Sequence, residues 1–161
     1  MVIHKLKATF GCLDGSELEL KPGLNVINAP NESGKSTWCA FIRAMLYGID
    51  SAERARAGYL PDKLHYAPWT GKPMGGTMEL SHKGMDITTT RSTKAANAPM
   101  RVFSAAYTAT GNDVEGIDAS NAGEYLTGAS RSVFCSSAFI GQGAAAVTGS
   151  AELEKRIASV V

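Results

Sequence analysis

The stretch Ala29-Pro30-Asn31-Glu32-Ser33-Gly34-Lys35-Ser36-Thr37 constrains this chain more than any other. A short apolar run, Leu24-Asn25-Val26-Ile27, leads into it, and an amphipathic segment from Lys35 to Tyr47 leads out. Strand, tight loop and helix in that order gather the unpaired N–H groups and positive dipole end of a helix start around one point. Such a point holds an anion. The residues follow the pattern small-x-x-x-x-Gly-Lys-Ser, a phosphate-binding P-loop over 29–37.

Each position has a chemical part. Successive N–H groups from Glu32 to Thr37, with Asn31 and Ser33 in the same turn, form a concave nest for phosphate oxygens. Gly34 has no Cβ, so the backbone approaches the ligand closely. Lys35 brings a point charge to the terminal phosphates, and the Ser36 hydroxyl is a hard oxygen ligand for Mg²⁺. ATP and Mg²⁺ are the expected cofactors. The pattern's first glycine is replaced by Ala29. Pro30 already drives the preceding residue toward extended backbone, which alanine adopts freely, so the loop is expected to survive the change.

Composition narrows the field. The chain has 161 residues, enough for one domain with a real core. A net charge of +1 gives no general support for nucleic-acid binding. The three cysteines, Cys12, Cys39 and Cys135, are far apart and show no metal-ligand spacing. His4, His65 and His82 show no ligand or triad spacing either. The N-terminus alternates in polarity and lacks a continuous apolar core, unlike a signal peptide. No run approaches the length of a membrane span. A cytoplasmic protein with no membrane contact is expected.

Hydrophobic periodicity places the elements. Val2 to Phe10 and Ser16 to Leu20 alternate as half-buried strands, and Leu24 to Ile27 is a third. Trp38, Phe41, Ile42, Met45 and Leu46 recur on one face of a 3.6-residue period, with Gly48 as a stop. From Asp50 to Gly76 proline and glycine interrupt every pattern, which predicts a long loop, functional or mobile. Its aromatics and lysines (Tyr59, Lys63, His65, Tyr66, Trp69, Lys72) suit either nucleic-acid stacking or packing of the loop on itself. Thr77–Leu80 and Met85–Thr90 form a hairpin about His82-Lys83-Gly84, and Arg101–Thr108 is a further strand. Glu124–Ser137 reads as a weak helix, Ala138–Ile140 as a short strand, and Ala151–Val161 as a helix with no stop signal.

A P-loop hydrolase also needs a carboxylate at the end of an apolar strand, to hold Mg²⁺ and place the attacking water. Asp14, Asp50, Asp62, Asp86, Asp113 and Asp118 all lack that context.

Pro22-Gly23, Leu24-Asn25-Val26-Ile27, Asn31 through Thr37 and Phe41-Ile42-Arg43 together resemble the N-terminal lobe of SMC-type ATPases of DNA repair. SbcC-like and especially YhaN-type ATP-binding proteins are the nearest in pattern. Tyr66-Ala67-Pro68-Trp69 with Gly75-Gly76 and Arg91 is similar to the YhaN-type insert and hairpin, and Phe139-Ile140-Gly141-Gln142-Gly143 to a Q-loop. The resemblance implies an α/β P-loop fold, one lobe over 1–161 of an ABC-type head, with a mixed sheet and a C-terminal helix over 151–161 leading toward a coiled coil. It implies that Lys35 and Gln142 are catalytic and that Ser36 and Gln142 meet Mg²⁺. A C-terminal lobe of the same protein would supply the signature motif and Walker B carboxylates. A second head would join in an ATP-dependent dimer, with DNA and a nuclease subunit as further partners. An arginine after the first strand reaches the nucleotide in the repair ATPases, but Phe10-Gly11-Cys12 stands there instead. The implied activity is ATP hydrolysis by the full-length protein, with this chain inactive alone. Gln142 lies too far beyond Lys35 for an ABC transporter subunit. A complete small P-loop kinase, with Arg54, Arg56 and Arg91 as a loose lid, and a nucleotide-binding interaction module without turnover are the other readings.

Overall fold

The computed structural model describes residues 1–49, 52–95 and 98–139. In chain order these form β1 (Val2–Phe10), β2 (Leu13–Glu19), α1 (Lys35–Tyr47), α2 (Asp62–His65), β3 (Gly75–His82), β4 (Met85–Ser92), β5 (Val102–Tyr107), α3 (Ala122–Thr127) and α4 (Arg131–Ser137). The Q-loop expected at Gln142 and the helix expected over 151–161 lie outside the described residues. The chain divides into two compact units, one ending at Ala122 and one beginning at Gly123.

The first unit is a five-stranded sheet in the order β2-β1-β3-β4-β5. Every neighbouring pair is antiparallel. The expected mixed sheet is therefore corrected among the described residues. A parallel pair needs a crossover between neighbouring strands, and the one long helix, α1, instead returns the chain to lie antiparallel beside β1. The hairpin is as expected, with Lys83 and Gly84 both at positive φ, a turn whose twist matches that of the strands.

Alternation gives the sheet two unlike faces. Leu6, Ala8, Phe10, Met78, Leu80, Ile87, Thr89 and Ala105 are buried on one. Lys5, Lys7, Glu17, Thr88, Thr90 and Ser104 stand on the other, exposed or half-buried. Helix α1 covers the apolar face through Trp38, Phe41, Met45 and Leu46. Phe10 meets Phe41 edge-on at 5.6 Å between ring centroids. Burying each of these large side chains contributes about 1.5–3 kcal/mol. The helix sits this low because of Gly76: a Cβ there would lie 1.9 Å from the Lys7 carbonyl oxygen and 2.7 Å from Phe41 Cζ. Only glycine lets β3 lie this close to β1 beneath the helix.

Arg91 fixes the other end of α1. It is 1% exposed. Its guanidinium donates to the carbonyls of Met45 (3.0 Å), Leu46 (3.4 Å), Met100 (3.2 Å) and Ala119 (3.1 Å). It also lies over the Phe103 ring, 4.7 Å from the centroid. Met45 and Leu46 belong to the last turn of α1, whose carbonyls have no helical partners. A cation there also meets the negative end of the helix dipole.

Two expectations along the chain are corrected. Leu24 to Ile27 forms no strand and joins no ladder among the described residues. Leu24 is 92% exposed and Val26 79% exposed. Asn25 holds the segment in a turn instead: it accepts from Lys21 N at 2.9 Å and donates to the carbonyls of Lys21 and Gly23. The expected loop from Asp50 to Gly76 contains α2 and an Arg56–Tyr59 bridge.

In the second unit, the single helix expected over Glu124–Ser137 is two. Gly128 at φ 72° stops α3, and the Ser130 hydroxyl caps α4 by accepting from Val133 N. The strand expected from Ala138 is absent over Ala138–Phe139: Ala138 is the α-region cap of α4, and Phe139 N donates back to the Phe134 carbonyl.

Burial pushes the Arg91 guanidinium down to about 10. It stays charged at neutral pH, and its desolvation cost is relieved only as pH rises above that value, so between pH 6 and 9 it adds no slope to stability. Arg91→Met, which leaves the carbonyls without donors, is expected to lower unfolding free energy by about 3 kcal/mol or more. Arg91→Lys, with three donors in place of a planar fork, is expected to recover only part of this. Urea unfolding followed by far-UV circular dichroism measures both.

Candidate functional site

The packing that seats α1 also aims its N-terminus. Gly34 precedes the helix at φ 90°, ψ 13°, with no side-chain cap and no acidic residue in the first turn. The first intrahelical bond runs from Trp38 N to the Gly34 carbonyl at 2.9 Å. The N–H groups of Lys35, Ser36 and Thr37 therefore fall ahead of the helical ladder. Asn31, Glu32, Ser33 and Ser36 are exposed, and Glu32 adopts φ 65°. A residue bent into that left-handed region beside another, Gly34, curls the backbone into a cup.

Lys35 lies across this cup. Its Nζ donates to the Ala29 carbonyl at 2.5 Å and the Pro30 carbonyl at 2.6 Å. A charge-assisted donor on backbone oxygens marks where an anion's oxygens would compete for the same ammonium. Ala29 itself is half-buried.

The floor of the cup is the β1–β2 turn. A Cβ at Gly34 would lie 3.0 Å from Leu13 Cδ2 and 3.1 Å from Cys12 Sγ, and the φ of Gly34 is itself one that glycine favours. Cys12 Sγ is 3.5 Å from Thr37 Oγ1. A Cβ on Gly11 would lie 3.1 Å from Thr37 Cγ2. The turn and the loop thus support one another.

Phosphate fits this geometry: open N–H groups, a glycine close approach and one lysine. For Mg²⁺ the described residues offer the exposed Ser36 hydroxyl at the same helix start. No cluster of three or more His, Cys, Asp or Glu able to hold a metal occurs among the described residues. Several carboxylates are engaged elsewhere: Asp62 with Arg43 at 2.8 Å, Asp14 with Lys72 at 2.8 Å, Asp86 with Ser81, and Asp118 with Ser120 and Asn121. The Ser120 hydroxyl and the backbone around it hold the Asp118 carboxyl below its usual range.

The structure thus brings Asn31 through Thr37 together at one helix start. Gln142 falls outside the described residues. The kinase-type lid is weakened, since Arg91 is buried beneath α1 and Arg56 lies over Tyr59 at 5.1 Å. The three cysteines are unpaired, with Cys39 exposed and Cys12 and Cys135 half-buried. His4 Nε2 bonds Ser81 Oγ at 2.6 Å, and His65 packs edge-on to Tyr66.

Sequence reasoning missed the support for the loop. The segment around α2 packs in part on its own aromatics and is also clamped onto the β1–β2 turn. Gly11 N donates to the Tyr66 carbonyl at 2.8 Å, Trp69 N donates to the Gly11 carbonyl at 3.2 Å, and Tyr66 stacks on Phe10 at 4.8 Å. Burial pushes the Tyr66 phenol up. Nothing local in the sequence pointed to Gly11 as its anchor.

No helix among the described residues is long and apolar enough to cross a membrane. No curated protein matches the chain. The family described as "AAA domain" matches residues 1–137, most of the chain. With a helix start shaped for phosphate inside that span, the chain belongs to this AAA domain family.

Proposed function

We propose that the chain binds ATP with Mg²⁺ through Asn31, Glu32, Ser33, Gly34, Lys35, Ser36 and Thr37, as the N-terminal lobe of an SMC-like, YhaN-type ATPase head. The observation that carries this reading is the Lys35 ammonium lying across an uncapped helix start on the Ala29 and Pro30 carbonyls. ATP phosphates exchange those neutral acceptors for charged ones. Ser36 contributes one oxygen to Mg²⁺, and the phosphates contribute others. Bound Mg²⁺ would neutralise charge that builds on the phosphates during transfer. Gln142 is assigned to the water or metal near the terminal phosphate by the resemblance alone.

The head is completed by a C-terminal lobe, which brings the carboxylates and the signature segment. Leu24, Val26 and Ile27 support this: an apolar segment directly before the loop, exposed and outside the sheet, suits pairing with further strands. Hydrolysis in the full-length protein then drives engagement of two heads in the cytoplasm, in DNA double-strand-break repair or chromosome maintenance, beside a nuclease subunit.

Lys35→Ala is expected to weaken ATP binding roughly ten- to a hundredfold, the worth of one charge-assisted contact. Isothermal titration of both proteins with ATP and Mg²⁺ measures it; equal affinities would refute the assignment. The 161-residue chain alone is expected to show no steady-state hydrolysis, and a C-terminal lobe added in trans to restore it. Phosphate release by the purified chain, abolished by Lys35→Ala, would favour a complete small NTPase. Duplex DNA is expected to bind weakly and with steep salt dependence. On the open sheet face Lys5 and Lys7 are paired with Glu17 at 2.9 and 3.0 Å, so that face offers DNA little free charge. Fluorescence anisotropy at two salt concentrations reads it, and tight binding that survives high salt would contradict it.

A further inference from the structure

Trp69 is 80% exposed, yet the backbone that carries it is held on every side. Asp62 bonds Arg43 of α1 at 2.8 Å, and Lys72 bonds Asp14 at 2.8 Å. Between those anchors, the Tyr66 carbonyl and the Trp69 N–H grip Gly11 from both sides, and the Tyr66 ring lies flat on Phe10. Pro68 accepts from Gly71 N at 2.9 Å, closing a turn with Trp69 near its tip. A floppy loop explains an exposed indole by default. A clamped one does not, because the same packing that seats Tyr66 could have covered Trp69. A rigid scaffold that presents a large amphipathic ring to solvent is built like a contact surface.

Its position identifies the contact. Trp69 is one hydrogen bond from Gly11, and Gly11 abuts Thr37, the last residue of the loop over 29–37. A nucleotide whose phosphates rest on Gly34 and Lys35 must lead its sugar and base out over the surface beside the helix start. We infer that Trp69 is the stacking platform for the base of a nucleoside triphosphate held by this loop. This rests on the phosphate site proposed above and adds the part that grips the nucleoside. A ring stacked on a base reads its π-face and not its edge, so it contributes affinity with little choice between adenine and guanine. No covalent step is involved.

The test separates the two halves of the ligand. Wild type, Trp69→Ala and Trp69→Phe are titrated with Mg²⁺-ATP, Mg²⁺-GTP and inorganic tripolyphosphate, which has phosphates and no base. Trp69→Ala is expected to weaken ATP and GTP alike by about tenfold or more, the range for losing one base–aromatic stack. Tripolyphosphate affinity is expected to stay at the wild-type value, and Trp69→Phe to recover most of the loss. The chain has two tryptophans, and Trp38 is 8% exposed. Iodide quenching of fluorescence therefore reports mainly on Trp69, and ATP but not tripolyphosphate is expected to reduce it. Unchanged ATP affinity in Trp69→Ala overturns the inference, even if that protein loses binding to single-stranded DNA or to a protein partner. Equal loss of ATP and tripolyphosphate also overturns it, by making Trp69 a support for the loop. Failure of wild type to bind tripolyphosphate removes the phosphate site itself, and the inference with it.

Discussion

A guanidinium buried among carbonyl oxygens holds this structure in its working arrangement. Arg91 comes from β4, one strand in from the edge of the sheet, yet it bonds the last turn of α1 and two later stretches of chain. Among the described residues its acceptors are backbone carbonyls and the face of Phe103, with no carboxylate. A charge taken out of water is tolerated only when nearly every donor is used. That requirement makes the joint intolerant of small shifts. The helix cannot slide along the sheet without stranding a charge, so the position of its N-terminus is set by a contact at the opposite end.

Much of this was legible in the sequence where a period repeats. Val2–Phe10 and Lys35–Tyr47 match their expected spans because each buries one regular face. The hairpin was legible from turn chemistry between alternating runs. Arg91 lies in phase with Ile87 and Thr89, so alternation placed it on the buried face; its charge argued for solvent, and only the waiting carbonyls of α1 decide between them. Leu24 to Ile27 failed for another reason. Composition reports that a segment suits a sheet, whereas joining one requires a neighbour that composition does not name. The break between α3 and α4 was written in Gly128 and Ser130, two residues that read as a stop and a start once placed side by side.

The phosphate loop was the most local feature and the most legible. Nine consecutive residues carry its pattern, and their helix-start geometry follows from Gly34 and Glu32 taking left-handed backbone. What surrounds the loop is not local. Cys12 and Leu13 close its floor from the first hairpin, and the chain around Tyr66 braces that hairpin from some fifty residues downstream, since Gly11 bonds to Tyr66 and Trp69. Contacts between distant segments leave no periodic trace, and a residue such as Gly11 gains its meaning only from what leans on it. Among the described residues the helix start has a shape that phosphate fits, and no cluster of three or more His, Cys, Asp or Glu able to hold a metal occurs.

The exposed run from Leu24 to Ile27 has a consequence for how copies of such a chain stay apart. Apolar and open to solvent, it is a template for association between copies. The residues around it act as guards. Pro22 removes one backbone donor, and Asn25 folds over to occupy the N–H and carbonyl of Lys21 and the carbonyl of Gly23. Hydrogen-bonding groups that would otherwise recruit a neighbouring chain are satisfied by a side chain from within the segment. A single asparagine thus ties down the backbone that leads into the exposed run.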